Sequence, residues 1–344
     1  MVAGTAPWQD RLTPLYCAPS SWSAVSTEIA SDRRRTKIFA AREWVRDRLL
    51  RHISRLRRAR SGELLVVNIH CWEGLFAHLE WFLEISLHCE RFALRPCFQS
   101  SSPQYVEPTQ GPDWYAYFFS NPQLTAEDET RIGRGQTPVC RIENIRQLGL
   151  PADYDSELSL SNAPALVHKY IGVNDDVLEK VNAFVEAHFK GRTVLGVHYR
   201  GTDKRVEAPR LTYEHVRDAI DGQLTRSGRF DCLFVSSDEQ EFIHFMQRSF
   251  LRSIPVLWHD DEERSRTDVP VHQAASGSRF RRGQEAVLNC LLLSRCSALL
   301  KTPSILSGWS KLFNPALPVT LLASPYQRHL WFPDRALVHN TVAV

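Results

Sequence analysis

Short apolar runs alternate with longer amphipathic stretches through the second half of the chain, and this alternation limits the fold more than any other feature. Apolar residues recur at helical spacing at positions 174–189, 212–224, 239–250, 284–294 and 304–313. Between these stretches, short apolar runs predict strands at 193–199, 231–236, 254–258 and 298–301. Strands and helices that alternate at these lengths are typical of an α/β protein with a doubly wound parallel sheet.

The first half contains a second, shorter α/β pattern. The run LLVVNI at 64–69 predicts a buried strand, positions 75–89 predict a helix, and 92–98 predict another strand. Strand, glycine-containing turn, helix and strand form a βαβ unit. Positions 101–165 carry scattered prolines and polar clusters, which predict loops with short elements.

Two such halves predict two Rossmann-like lobes that face a cleft. We place the first lobe at residues 61–165 and the second at 166–344. Residues 1–60 form a separate N-terminal segment, which is rich in Pro, Ser and Ala up to about residue 30 and amphipathic after that.

The composition favours a globular protein of a reducing compartment. Of the 344 residues, 43% are hydrophobic and 24% are charged, which are ordinary values. No apolar run reaches the roughly 18 residues that cross a bilayer, and no secretory signal pattern is visible. The eight cysteines show no paired or metal-type spacing, and the chain has no Asn-x-Ser/Thr site. We therefore expect a cytoplasmic protein without a bound metal.

The positive charge is concentrated in residues 31–60, which hold twelve Arg or Lys against three acids. Apolar residues recur at helical spacing within 33–60, so this segment predicts a basic amphipathic helix. Such a helix either packs on the first lobe with a solvated arginine face or docks on an anionic membrane surface or acidic acceptor. No aromatic interleaving accompanies it, and we expect no nucleic-acid partner.

Polar residues follow four predicted strands of the second half, at 200–204, 236–238, 259–260 and 302–304. Ligands of open parallel sheets bind outside the carboxyl ends of the strands. Arg200 is the main candidate there, because a guanidinium can hold two oxygens of a diphosphate. The alternative is an ion pair of Arg200 with Asp203 or Glu207.

Two further candidates at these strand ends have structural alternatives. Ser304 either caps the helix that follows it or lies where the exposed N–H groups of that helix receive a phosphate oxygen. Asp238 either binds a ribose hydroxyl or caps the helix that begins at position 239.

The stretch GVHYRGTDK at 196–204 resembles the first signature of the GDP-fucose-dependent fucosyltransferases, which include the α-1,6-fucosyltransferases and the protein O-fucosyltransferases. FVSSD at 234–238 and GQEAVLNCLLLS at 283–294, continuing to KTPS at 301–304 and FNP at 313–315, are similar to later motifs of that family. The resemblance covers about residues 167–315 and is faint at 66–98.

The resemblance implies a two-lobed GT-B fold, inversion at the sugar anomeric carbon, GDP-fucose as the donor substrate, a glycan or protein acceptor, and no divalent metal or cofactor. The first lobe would then bind the acceptor, and the second lobe the nucleotide sugar. No carboxylate pair of the DxD kind follows a predicted strand, so fixed cations must stabilise the departing diphosphate.

The resemblance also implies roles for individual residues. His198 would contact the nucleotide through its backbone, Arg200 and Lys204 would stabilise the diphosphate, and Glu207 or Asp203 would take the acceptor proton. The full set of expected donor-binding residues is His198, Arg200, Thr202, Lys204, Asp238, Glu285, Asn289, Thr302 and Ser304.

The third motif departs from the family at Asn289, where an aspartate would accept hydrogen bonds from guanine. An amide oxygen still accepts, but the charge assistance of roughly 1 kcal/mol is lost. Glu285 lies four residues earlier on the same helical face and is positioned to compensate. Asn289 therefore keeps two alternatives open, namely transfer of another sugar from another nucleotide and a catalytically silent sugar-nucleotide or glycan-binding protein.

Overall fold

A computed structural model describes residues 62–150, 154–201, 207–228, 230–250, 253–259 and 277–338. The basic helix predicted within 33–60 lies outside these residues. No helix in the described part of the chain is both long and apolar enough to cross a bilayer. The seven cysteines that are described are all buried and form no disulfide.

The first sheet has three parallel strands, with the first strand in the centre and the order β2-β1-β4. Its elements are β1 (Leu64–Ile69), α1 (Leu75–Phe92), β2 (Arg95–Ser100) and β4 (Val139–Ile142). Helix α1 carries the chain from β1 to β2, and its Leu79, Phe82 and Leu83 are completely buried. The βαβ unit predicted for the first half is therefore confirmed.

Short elements connect and flank this sheet. They are α2 (Tyr115–Phe118), β3 (Phe119–Ser120), α3 (Ala126–Gly133), a 3-10 turn (Ile145–Leu148), α4 (Tyr154–Glu157), α5 (Ala163–Tyr170), β5 (Gly172–Val173) and α6 (Asp175–His188). Strands β3 and β5 pair antiparallel, and α5 spans position 165. The boundary predicted at that position thus falls inside a helix, and the division into domains stays a prediction.

The second sheet has five parallel strands in the order β10-β9-β6-β7-β8. They are β6 (Val194–Tyr199), β7 (Cys232–Ser237), β8 (Val256–Leu257), β9 (Ala298–Lys301) and β10 (Val319–Leu321). Taken in chain order, the first strand is central, the next two lie on one side and the last two on the other. This is the Rossmann strand order.

Helices follow the strands of this sheet. They are α7 (Tyr213–Ser227), α8 (Gln240–Phe250), α9 (Arg279–Ser294), α10 (Ile305–Phe313) and α11 (Asp334–Leu337), with a 3-10 turn at Gln327–His329. The prediction of an α/β fold with parallel, doubly wound sheets is confirmed.

Alternate side chains of the second sheet pack into two different clusters of the core. Leu195, Val197 and Tyr199 of β6 pack with helices α7 and α8 on one face. Val194 at the start of the same strand packs on the other face, in a larger cluster that also contains the first sheet and α1. Because both faces are covered, β6 and β7 are buried along their whole length.

Two predicted elements differ from the observed ones for identifiable reasons. The strand predicted at 92–98 begins at Arg95 because α1 continues to Phe92. Helix α9 begins five residues before position 284 because the Ser278 side chain caps it, accepting a hydrogen bond from Arg281 N. Strand β10 was not predicted.

Candidate functional site

The carboxyl ends of β6 and β9 define the centre of the candidate site. These strands are neighbours at the point where the strand order reverses, and a crevice at such a point is where open α/β sheets bind ligands. Arg200 follows β6 directly, and Thr302 follows β9. The Thr302 hydroxyl accepts a hydrogen bond from Arg200 N at 2.8 Å, and Thr302 N donates to His198 O at 3.0 Å. Hydrogen bonds therefore join the predicted strand ends at Arg200 and Thr302.

Arg200 lies partly exposed at this crevice, with 20% of its side chain accessible. Its Nε atom is 3.9 Å from Asp238 Oδ2, at the end of β7. Burial raises the pKa of Tyr105 in the first lobe, and the positive charges of Arg200 and Arg282 oppose that rise. Two guanidinium groups thus act on the same first-lobe hydroxyl. Arg282 was not among the predicted site residues, because only the fold brings its charge within range of Tyr105.

Gly201 fits a position that leaves no space for a side chain. A Cβ atom there would lie 2.2 Å from Glu239 Oε1 and 2.7 Å from a ring carbon of Tyr199. Glu239 cannot easily move away, because Arg210 and Tyr213 both bind its carboxylate. The glycine of the RGTDK motif is therefore explained by this close approach.

Asp238 contacts the motif through the backbone. Its Oδ1 accepts a long hydrogen bond of 3.4 Å from Gly201 N. Helix α8 begins at Gln240, and the turn before it is closed by Glu239 N donating to Ser237 Oγ at 3.1 Å. Asp238 thus orders the start of the loop after β6, and its proposed contact with a ribose stays a prediction.

His198 is a buried, neutral histidine directly below Arg200. Burial lowers its pKa well below the usual value, and the charges of Lys301 and Arg200 lower it further. Its Nδ1 atom is buried and has no hydrogen-bond partner among the described residues. The His198 carbonyl accepts a hydrogen bond from Thr302 N, and the predicted contact of the His198 backbone with the nucleotide stays a prediction.

A buried ion pair supports the strand end on the other side of the crevice. Lys301 is completely buried and its Nζ contacts Asp334 Oδ1 of α11. The other oxygen of Asp334 accepts a hydrogen bond from Ser304 N at 2.7 Å. Ser304 precedes α10, but its hydroxyl makes no capping hydrogen bond, so the predicted capping role is wrong. Asp334 was not predicted as the partner of Lys301, because no local pattern links it to a strand residue 33 positions earlier.

Glu207 and Ser304 lie on the same part of the surface. Both residues line a shallow depression together with Pro303 and Trp331. The Glu207 carbonyl accepts a hydrogen bond from Tyr326 N at 2.8 Å, which ties this part of the loop to the segment after β10. Thr202, Asp203 and Lys204 lie outside the described residues.

Helix α9 carries Glu285 and Asn289, and both are buried. Arg281 Nε donates to Glu285 Oε1 at 2.8 Å, so this carboxylate already has a cationic partner. Arg282 Nη1 lies 3.5 Å from the Gln104 carbonyl of the first lobe. A Cβ at Gly283 would be 2.6 Å from a ring carbon of Phe118, so the glycine of this motif lets α9 approach the first lobe.

One group of potential metal ligands lies in the first lobe, at the carboxyl end of β1. The ligand atoms of Cys71, Glu73 and His78 all lie within 4.8 Å of one another. Burial lowers the pKa of His78 to about 3, so its imidazole is neutral. The cysteine spacing predicted no metal-type cluster, because the spacing of Cys71, Glu73 and His78 matches none of the usual motifs.

The fold and site together define a Rossmann-type α/β protein with an arginine at the switch point of its larger sheet. No protein-family model matches the chain, and no curated protein matches it in sequence.

The chain is similar to several solved structures of fucosyltransferases. The fucosyltransferase NodZ from Bradyrhizobium is 16% identical over 74% of this chain and 94% of that chain, with a TM-score of 0.49. Arabidopsis thaliana FUT1, in complex with GDP, is 13% identical over 84% of this chain and 80% of that chain, with a TM-score of 0.45. POFUT1, in complex with GDP-fucose, is 10% identical over 74% and 73%, with a TM-score of 0.37.

Proposed function

We propose that this protein is an inverting glycosyltransferase that moves L-fucose from GDP-β-L-fucose to a hydroxyl of a glycan or protein acceptor, without a divalent metal or a further cofactor. One observation carries the proposal. Arg200, in a stretch that resembles the first fucosyltransferase motif, lies at the switch point of a Rossmann sheet with its backbone anchored to Thr302.

The charge distribution supports a diphosphate as the ligand of this site. The positive charges of Arg200 and Arg282 both oppose the rise in the pKa of Tyr105, and Arg200 is the one that follows β6 at the switch point. Cations that are held in place before the reaction stabilise a leaving group as its charge develops. Lys204, outside the described residues, is proposed as a further cation.

In the proposed reaction, the acceptor oxygen attacks C1 of fucose as the bond between C1 and the β-phosphate oxygen breaks. The electron pair of that bond leaves with GDP, where Arg200 stabilises it. The acceptor proton passes to a carboxylate, for which Glu207 is the candidate and Asp203 the alternative. Glu207 and Ser304, which follows β9, line the same depression, and this supports the assignment of Glu207 to this side of the site.

Buried polar side chains on α9 are the proposed hydrogen-bond partners of the guanine base of the donor. Asn289 offers an amide in place of the aspartate of the motif, and Glu285 shares its carboxylate with Arg281. This difference favours a second candidate function, transfer of a different sugar from another nucleotide. A panel of GDP- and UDP-sugars separates the two, because each nucleotide presents a different hydrogen-bonding edge to α9.

Isothermal titration with GDP and with UDP, each with and without EDTA, tests the donor assignment. We expect GDP to bind, UDP to bind at least tenfold more weakly, and EDTA to change neither. Absence of GDP binding, or its loss in EDTA, contradicts the proposal. If the donor binds but neither transfer nor donor hydrolysis is measurable, the chain is a silent sugar-nucleotide-binding protein.

The Arg200→Ala variant tests the role of the arginine. We expect transfer to fall by at least a hundredfold, because a donor aimed at developing charge is worth about 3 kcal/mol or more. The melting temperature should stay within a few degrees. Arg217→Ala is the matched control, since Arg217 is an arginine of α7 that pairs with its neighbour Asp218. Near-normal turnover of Arg200→Ala contradicts the assignment.

A further inference from the structure

Three metal-ligand side chains converge at the carboxyl end of β1 in the first lobe. Cys71 and Glu73 lie in the turn between β1 and α1, and His78 projects from the first turns of α1. Their ligand atoms lie within 4.8 Å of one another, with Cys71 Sγ 3.0 Å from His78 Nε2. Since β1 is central in the order β2-β1-β4, the cluster also lies at the point where this sheet reverses its strand order.

The imidazole of His78 is held in the orientation that a metal ligand needs. Its Nδ1 atom lies 3.0 Å from Ser100 Oγ, which in turn donates to the Ile69 carbonyl at 3.2 Å. This leaves Nε2 directed at Cys71. Metal-binding histidines in proteins have their second ring nitrogen fixed in the same way, which sets the tautomer and the ring orientation.

The turn that carries the other two ligands is also fixed. Gln104 Nε2 donates to the carbonyls of both Trp72 and Glu73 at 2.6 Å. Cys71 and His78 are buried, whereas Glu73 is exposed, so the cluster is enclosed on the core side and open to solvent on the other. An ion could therefore enter, and a water or another external ligand could complete its coordination.

We propose that Cys71, Glu73 and His78 form a binding site for Zn²⁺. Thiolate, imidazole and carboxylate are the three ligand types of zinc in proteins, and three protein ligands with one open position are typical of accessible zinc sites. Mg²⁺ and Ca²⁺ are excluded as the preferred ions, because they select oxygen ligands alone.

The site is connected to the candidate donor site through one short segment. Gln104, which holds the turn, is followed by Tyr105, the residue on which the charges of Arg200 and Arg282 act. Tyr105 also accepts a hydrogen bond from Leu75 N, at the start of α1. Removal of zinc from this separate site is nevertheless expected to leave GDP binding unchanged.

Titration of the metal-free full-length chain with Co²⁺ tests the site, because Co²⁺ replaces Zn²⁺ and reports its ligands by absorption. We expect one equivalent of Co²⁺ to give a thiolate-to-cobalt charge-transfer band with the visible bands of a four-coordinate ion, and Zn²⁺ to displace it. Cys71→Ser should lose the charge-transfer band. Cys97→Ser, which removes another buried thiol, is the matched control and should keep it.

Two variants keep the test decisive if Cys71→Ser does not fold. Glu73→Gln alters an exposed side chain and should weaken zinc binding at least tenfold. Ser100→Ala should weaken it by about 10–100-fold while the charge-transfer band persists. Absence of the band in the unaltered protein, its persistence in Cys71→Ser, or zinc binding by Glu73→Gln within twofold of the unaltered protein overturns the proposal.

Discussion

Removal of the Asp334 carboxylate should destabilise the protein more than any exposed ion pair could. Lys301 has no accessible side-chain surface, and 7% of the Asp334 side chain is accessible. The same carboxylate also accepts the hydrogen bond from Ser304 N at 2.7 Å. The Asp334→Ala variant therefore leaves a buried ammonium group and a buried N–H without this partner.

The expected size of the effect follows from this burial. Breaking a buried ion pair by removing one partner costs about 3–5 kcal/mol, since the remaining charge stays out of water. At about 2 °C per kcal/mol for a chain of this size, the melting temperature should fall by about 6 °C or more. GDP binding should weaken as well, because Lys301 and Ser304 flank Thr302, which anchors Arg200.

The Lys301→Met/Asp334→Leu double variant separates charge burial from a general loss of packing. Replacing both members of a buried pair with apolar residues is often neutral, so the double variant should recover at least half of the lost melting temperature. Asp218→Ala is the control, because its pair with Arg217 is exposed and contributes little to stability.

Thermal unfolding followed by circular dichroism measures all three variants under the same conditions. The stabilising role of the buried Lys301–Asp334 pair is refuted if Asp334→Ala melts within 2 °C (about 1 kcal/mol) of the unaltered protein. It is equally refuted if the double variant is less stable than Asp334→Ala, because the cost would then not come from the buried charge of Lys301.

Three further predictions concern close packing and buried charge. Gly201→Ala places a methyl group 2.2 Å from Glu239 Oε1; we expect thermal unfolding to show a loss of about 1–3 kcal/mol, and an unchanged melting curve would contradict this. Gly283→Ala gains about 1 kcal/mol of helix propensity, but its added methyl group would lie 2.6 Å from a ring carbon of the fully buried Phe118. We therefore expect a net loss of stability. A higher melting temperature would show that the ring can move. Burial raises the pKa of Glu84 from 4.5 to about 7. As the pH rises, the unfolded chain therefore releases this proton at a lower pH than the folded protein does. The free energy of unfolding falls between those two pH values. Glu84→Gln should therefore raise stability at pH 8 by up to about 3 kcal/mol and little at pH 4, and parallel melting-temperature profiles for the two proteins would disprove it.

Most of the regular elements were predictable because each is determined by a local pattern. The strands at 64–69 and 298–301 have the predicted bounds, and α6 and α10 begin one residue after the predicted starts. Strand β4 escaped prediction because it is short and exposes every second residue. Apolar periodicity detects an element only when enough consecutive residues face the core.

The sequence by itself determined the α/β fold and the candidate residues at the strand ends. Arg200 and Thr302 could be chosen because polar residues that follow apolar strands lie at one edge of a parallel sheet. The motif also places Arg200 directly before Gly201, the glycine that the close packing requires.

Only the tertiary structure decided which distant residues complete the site. Asp334 pairs with Lys301, Glu239 fills the space beside Gly201, and the charges of Arg200 and Arg282 both act on the pKa of Tyr105. None of these pairs follows from spacing along the chain. Burial of a charge or close contact with a glycine demands a partner of the right chemistry, but the strand order determines which residue is near enough to supply it.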